Sequence, residues 1–363
     1  MRYAELDVRS NYSFLEGASH PHELVFQAHV LGLEAVGVAD RNSLAGVVRA
    51  HSQAKKYETD YRLRVGCRLQ FTDGAELIVY PRDRAAYGRL CRLLSIGKSV
   101  ITDDGQVGEG GFRLMGEGEV DPAKPIPKGE CRLSFEQAAA LGQGLIGLAV
   151  TPEPIDDAFE RRLAAWAKAW PDVLYLAAAP LYRGDDRGRL NRLAAIAERA
   201  GAPMVATGAV LYHDPGRRRL QDVLTCIRDG CTIDEAGLRL QANAERFLKP
   251  AEEMARLFKG HERALERTIE IAEACPFRLT DLSYQYPDEP VPPGKTPQQH
   301  LEDLTAKGLK QKWPAGAPDD VLKTIDKELK LICKVGYAPY FLTVHDIVAW
   351  ARDQATMSCT VRK

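Results

Sequence analysis

Glu5, Asp7 and Arg9 stand two residues apart, in and just after a segment, Tyr3 to Val8, that alternates apolar and polar residues. In a β-strand that i, i+2, i+4 spacing aims all three side chains at one space. Carboxylates there offer oxygen donors of the kind hard cations use. Arginine offers only N–H groups and stays protonated at any working pH. A further acid, Asp40, closes the short apolar run Ala35 to Ala39. His20-Pro21-His22 imitates a ligand pair, but it lies at a helix start with only Glu23 beside it, which reads as capping or surface histidines. His213-Asp214 reads as a turn before a helix. The eight cysteines are scattered and form no C-x-x-C pair, which argues against zinc and against a disulfide framework and for reduced thiols in the cytosol.

The elements that must position these groups alternate. After the first strand, Ser19-His20-Pro21 opens a helix with Leu24, Val25, Ala28 and Leu31 at helical spacing and Gly32 as its stop. A second helix is expected from Ser43 to Tyr57. Further strands are expected at Ala75–Tyr80, Leu145–Val150, Val173–Ala178 and Pro203–Thr207, with a helix from Asp83 to Ile96 whose Tyr87, Leu90, Leu93 and Leu94 face a core. Ser134-Phe135-Glu136-Gln137 is a capping box. Strand–helix alternation of this kind points to a parallel sheet or barrel under helices. Residues 98–130, rich in Gly, Pro and charge, read as a long surface loop or partly disordered insertion. After Asp214 the strands give way to helices near 217–228, 251–259 and 262–274. A Pro-rich stretch from Tyr284 to Gly294 separates them from helices at 296–313, 319–335 and Thr343 to about Gln354.

Length and balance bound the reading. A chain of 363 residues exceeds one ordinary core, so two domains are expected. Lys plus Arg is 49 against 50 for Asp plus Glu, which gives no general electrostatic grip on nucleic acid. Lys307, Lys310, Lys312, Lys323, Lys327, Lys330 and Lys334 are interspersed with acids such as Glu302, Asp303, Asp326 and Glu328, the pattern of a solvated helix face. The N-terminus lacks a signal-peptide pattern, and no run reaches the ~18 apolar residues of a membrane span. No membrane association is expected, and the location is read as cytoplasmic.

Three stretches carry a family resemblance: Tyr12-Ser13-Phe14-Leu15-Glu16-Gly17-Ala18-Ser19; Leu220 to Arg228 with Cys231 to Gly237; and Gly336-Tyr337-Ala338-Pro339-Tyr340-Phe341-Leu342. In this order and spacing they resemble bacterial C-family DNA polymerases of the DNA polymerase III alpha-subunit type. The second stretch is most similar to the error-prone branch, which acts in damage-induced translesion synthesis and DNA repair. The resemblance implies an α/β fold. A polymerase-and-histidinol-phosphatase domain, a distorted (β/α)7 barrel, is expected over 1–280, then a linker over 281–295 and a mainly helical start of the polymerase palm over 296–363.

In metal-binding members of that barrel superfamily the first strand carries H-x-H and a further His. The matching positions here are Glu5, Asp7 and Arg9. An Asp-His matches Asp40-Arg41, a later Glu matches Arg68, and an Asp-x-His pair matches Ala209 and Leu211. Three arginines in ligand seats favour an ion-pair cluster, with Glu5, Asp7 and Asp40 neutralised by Arg9, Arg41 and Arg68. The alternative is a residual Mg²⁺ or Mn²⁺ site on the three carboxylates.

Nucleotidyl transfer in this family uses two metal ions on palm aspartates that follow a Gly-Arg-Gly-Ser loop. Ala355 to Lys363, where that loop is expected, contains no glycine. The expectation is a truncated N-terminal portion, without catalytic residues or a cofactor of its own, of a polymerase that uses Mg²⁺ when whole. The resemblance implies DNA, the sliding clamp and damage-induced accessory proteins as partners of that whole polymerase. The competing readings are a metal-dependent phosphoesterase or proofreading nuclease, and a stand-alone interaction module. Apolar Tyr340, Phe341, Leu342 and Trp350 speak against the last.

Overall fold

The alternation that begins at Tyr3 sets β1 (Ala4–Val8), and Pro21 in the first helical turn opens α1 (Pro21–Val30). The apolar run that ends in Asp40-Arg41 is β2 (Ala35–Arg41), followed by α2 (Val47–Ala54), β3 (Arg62–Gln70), β4 (Glu76–Pro81) and α3 (Arg84–Lys98). Ser134 caps α4 (Phe135–Ala140). Then come β5 (Leu145–Val150), α5 (Asp157–Ala169), β6 (Leu174–Ala178), α6 (Asp186–Ala200) and β7 (Met204–Ala206). Helices α7 (Arg218–Asp229), α8 (Ile233–Ala236), α9 (Ala251–Leu257) and α10 (Glu262–Ala274) complete this unit, Met1–Leu282. The computed structural model describes residues 2–57, 62–98, 130–282 and 290–354. The expected insertion, apart from its ends, the first half of the Pro-rich stretch and the closing Ala355–Lys363 lie outside the described residues.

The seven strands form one curled sheet in the order β1 to β7. Beyond β7, Val210 pairs with Val8: its N–H donates to the Asp7 carbonyl at 2.8 Å and its carbonyl accepts from Arg9 N at 3.0 Å. The last strand region thus returns to the first, which gives the distorted α/β barrel. Val36, Val38, Leu77, Val79 and Leu176 pack beneath the helices with Leu24, Leu90, Leu163 and Leu193. A second core joins Ala35, Ala39, Ile78, Tyr80, Leu148 and Val205 to Ile269, Ile271 and Ala272 of α10. Tyr80 fills space that glycine leaves open, since a Cβ at Gly37 would fall 2.2 Å from its hydroxyl and one at Gly66 would fall 2.4 Å from its ring.

Two features depart from the sequence expectation. β3 has no counterpart in it, and β4 runs antiparallel to both β3 and β5, where strand–helix alternation points to a parallel sheet or barrel. Gly74, at φ +82°, lies in the turn of that β3–β4 hairpin.

The second unit, Ser283–Lys363, is helical where described: α11 (Pro297–Lys312), α12 (Asp319–Val335) and α13 (Ala338–Gln354). Thr296 Oγ1 accepts from Gln299 N, capping α11. Gly336 in the left-handed conformation ends α12. α13 starts at Ala338 rather than Thr343, because Pro339 is tolerated in a first turn, where its missing N–H costs nothing. Leu301, Ala338 and Leu342 form the small core, while Tyr340, Phe341 and Trp350 stay exposed.

Candidate functional site

Asp7, Asp40 and Arg68 sit towards the C-terminal ends of β1, β2 and β3, the end at which barrels present their chemistry, and Glu5 lies one turn of the pleat deeper, near the start of β1. None is more than 2% exposed. Buried charge is costly unless paired or hydrogen-bonded, so each group's partners decide what it can do.

Arg68 lies between two acids. Nη2 donates to Asp7 Oδ1, and Nη1 donates to Glu76 Oε2 at 2.5 Å. Glu76 begins β4, and the antiparallel turn of the hairpin brings that beginning beside the end of β3. Burial raises the Asp7 carboxyl, but the Arg68 charge and then Arg9 outweigh it and hold the group below its ordinary range.

Glu5 and Asp40 are held differently. Glu5 Oε2 accepts from Tyr3 Oη and from Gly208 N, each at 2.8 Å, and Oε1 accepts from Asp7 N at 2.9 Å. A Cβ at position 208 would fall 2.5 Å from Glu5 Oε2, so only glycine admits this approach. Burial, reinforced by the Asp7 charge, pushes Glu5 up to about 8. Asp40 accepts from Ser10 N and Ser10 Oγ, each at 2.7 Å, and from Ser13 Oγ at 2.8 Å. Burial exceeds the effect of those serines and raises its pKa.

The expected pairing therefore needs correction. Asp7 and Arg68 are brought together, but among the described residues no arginine side chain pairs with Glu5 or Asp40. Arg41, adjacent to Asp40 on its strand, instead donates through Nη1 to Glu16 Oε1 at 2.7 Å. Arg9 Nη1 lies 3.6 Å from Glu16 Oε2. Glu16 is thus the acid that two of the arginines share. It lies inside the Tyr12–Ser19 stretch, and its neighbour Leu15 adopts a left-handed φ of 60°.

Ala209 and Leu211 supply no side-chain donor. Ala209 is left-handed, with φ 48°, and its carbonyl accepts from Arg246 Nε at 2.5 Å. Leu211 is buried and its N–H bonds to the Arg246 carbonyl at 2.8 Å. Arg246 escaped the sequence reading because a lone loop arginine carries no pattern. Burial and then the Arg9 charge push its guanidinium down to about 9. Lys249, also buried, lies 4.0 Å over the Phe247 ring, and burial lowers its pKa. His213 Nδ1 lies 2.8 Å from Ser19 Oγ, and His20 stacks on His22 with centroids 5.4 Å apart. Among the described residues no group of three His, Cys, Asp or Glu side chains is placed to hold a metal ion.

Residues 5–172 match the PHP domain, and residues 299–362 match the bacterial DNA polymerase III alpha NTPase domain. The chain carries both matches and is similar over nearly its whole length to proteins named error-prone DNA polymerase. It is 49% identical over 356 residues to one from Rhodopseudomonas palustris strain BisB5, covering 97% of this chain and 30% of that protein. It is likewise 49% identical over 356 residues to one from Caulobacter vibrioides, covering 98% of this chain and 30% of that protein. The chain thus spans about 30% of the length of these relatives. A solved structure from Bifidobacterium adolescentis, described as a candidate metal-dependent phosphoesterase, is 18% identical with a TM-score of 0.38, covering 57% of this chain and 87% of that one. No helix among the described residues is long and apolar enough to cross a membrane.

Proposed function

We propose that this chain is the N-terminal portion of an error-prone DNA-directed DNA polymerase of damage-induced translesion synthesis and repair. Its barrel serves as a scaffold without a metal or a hydrolytic activity of its own. The observation that carries the reading is Arg68, buried between Asp7 and Glu76. A guanidinium has no lone pair for a metal and fills the space a ligand would need.

The residues present do not suit a divalent cation. One placed among Glu5, Asp7 and Asp40 would face the fixed charges of Arg68, Arg9 and Arg246 at close range. Glu5, pushed up to about 8, carries its proton at neutral pH. The oxygens of Asp40 are already engaged by Ser10 and Ser13. In this reading Arg68 ties β1, β3 and β4 together at one end of the barrel, where a phosphoesterase would place its reacting centre.

Polymerisation belongs to the whole protein, in the cytoplasm, with Mg²⁺ on palm aspartates. There the second unit opens the palm, and DNA, the sliding clamp and damage-induced accessory proteins are the partners.

The test is hydrolysis by the purified chain with manganese, using p-nitrophenyl phosphate and single-stranded DNA as substrates. No product above buffer is expected, with or without Asp40→Asn. Release of phosphate or nucleotides that Asp40→Asn abolishes would establish the phosphoesterase or nuclease reading instead.

A further inference from the structure

Helix α7 ends at Gly230, whose φ of +64° turns the chain back over the last helical turn. In that turned-back arrangement Cys231 N, just past Gly230, donates to the carbonyl of Cys226, the fourth residue from the helix end, at 3.0 Å. Such a helix stop places the side chains of those two positions against each other. Here both are cysteines. Both residues line one apolar hollow with Val223, Ile227 and Ile233. Cys226 is buried and Cys231 half-buried, so a small oxidant reaches Cys231 first. No other described pair of cysteines shares such a backbone closure.

We propose that Cys226 and Cys231 are a reversible redox pair that closes as a disulfide across the end of α7. With hydrogen peroxide as oxidant, the Cys231 thiolate attacks one peroxide oxygen. The O–O bond breaks, hydroxide leaves and takes up a proton to become water, and Cys231 becomes a sulfenic acid. Cys226 sulfur then attacks Cys231 sulfur, the S–O bond breaks, and the departing hydroxide takes the Cys226 proton as a second water. Two electrons pass from the sulfurs to the peroxide. A dithiol reductant reverses the change by thiol–disulfide exchange. The glycine at 230 lets the second cysteine approach the first without strain. Closure ties the end of α7 to the start of α8, fixing the rim of the apolar hollow in a single arrangement.

The experiment exposes the full chain to peroxide, blocks remaining thiols and maps tryptic peptides by mass spectrometry without reduction. Peptides Leu220–Arg228 and Asp229–Arg239 are expected as one cross-linked species, with a loss of two of the eight thiols that dithiothreitol restores. Cys226→Ser is expected to arrest Cys231 as a sulfenic acid that a cyclic dione traps, and Cys231→Ser to leave Cys226 unmodified. Both thiols surviving while exposed Cys333 is oxidised would overturn the proposal. So would Cys231 advancing to a sulfinic acid in the unsubstituted chain with no cross-link.

Discussion

Replacing Arg68 by methionine removes the one cation that touches both Asp7 and Glu76 while keeping most of the volume of its stem. Counting side-chain atoms alone, Arg68 is 1% exposed and Asp7 3%, whereas Glu76, at 23%, can turn towards water. The loss therefore falls on Asp7, left as a buried carboxylate beside Glu5. Breaking a buried pair from one side costs about 3–5 kcal/mol. The cost should depend on pH with a definite sign. In the unsubstituted protein Asp7 is held below its ordinary pKa, so it contributes stability above the unfolded value and loses it as pH falls. Without Arg68 that contribution is gone, and the deficit is largest at neutral pH and shrinks in acid. Adding Asp7→Asn removes the stranded charge, so the two substitutions should couple by about 2–3 kcal/mol. Urea unfolding can be followed by fluorescence of Trp166 and Trp170, both buried in the barrel, in a background where Trp313 and Trp350 are phenylalanine. A loss under about 1 kcal/mol, the size of a surface pair, would refute the reasoning. So would a loss that does not vary with pH and adds to that of Asp7→Asn.

Three further outcomes follow from the same geometry. Because Glu5 is raised from 4.5 to about 8, the folded state keeps a proton that the unfolded chain has released between those values. Its contribution to stability is full below 4.5 and is lost as pH rises through about 8, a change on the order of several kcal/mol at ~1.4 per unit. Glu5→Gln should flatten that part of the stability–pH curve; an unchanged slope would show that the proton sits elsewhere. Gly208→Ala places a methyl group 2.5 Å from Glu5 Oε2 and 3.1 Å from Val210 Cγ2. It should cost about 1–3 kcal/mol in thermal unfolding, an effect that Glu5→Ala relieves. Ser13→Ala strips a donor from Asp40 and an acceptor from Arg41 N, and chemical denaturation should register about 1–3 kcal/mol. Full stability in that variant would mean water replaces the hydroxyl.

Much of the barrel is legible in the sequence because its strands are apolar runs between helices. Ala35–Ala39, Leu145–Val150 and Val173–Ala178 could hardly be anything else. β3 is harder to see, since Arg62, Arg64 and Arg68 make it look like a surface segment. Yet Arg64 and Arg68 are buried, Arg64 donating through Nε to the Ala272 carbonyl at 2.5 Å and Arg68 to two acids. A charged residue inside a fold carries no local signal; only its distant partner explains it. The same limit governs the site. Spacing alone places Glu5 and Asp7 on β1 and Asp40 at the end of β2. It does not show that Ser10 and Ser13 hold Asp40, or that Arg9 and Arg41 share Glu16. Those partners sit on the irregular loop after β1, whose course depends on left-handed Leu15 and on contacts made after the chain has folded.

The central claim of the proposal is that the Arg68 guanidinium, held by Asp7 and Glu76, leaves no place for a divalent cation among the barrel's acids. Diffraction from crystals soaked in manganese, measured at the manganese absorption edge, tests it most directly. The account expects no anomalous peak among Glu5, Asp7 and Asp40, with Arg68 density joining Asp7 to Glu76. A manganese peak on those three acids, with Arg68 turned away, would contradict it.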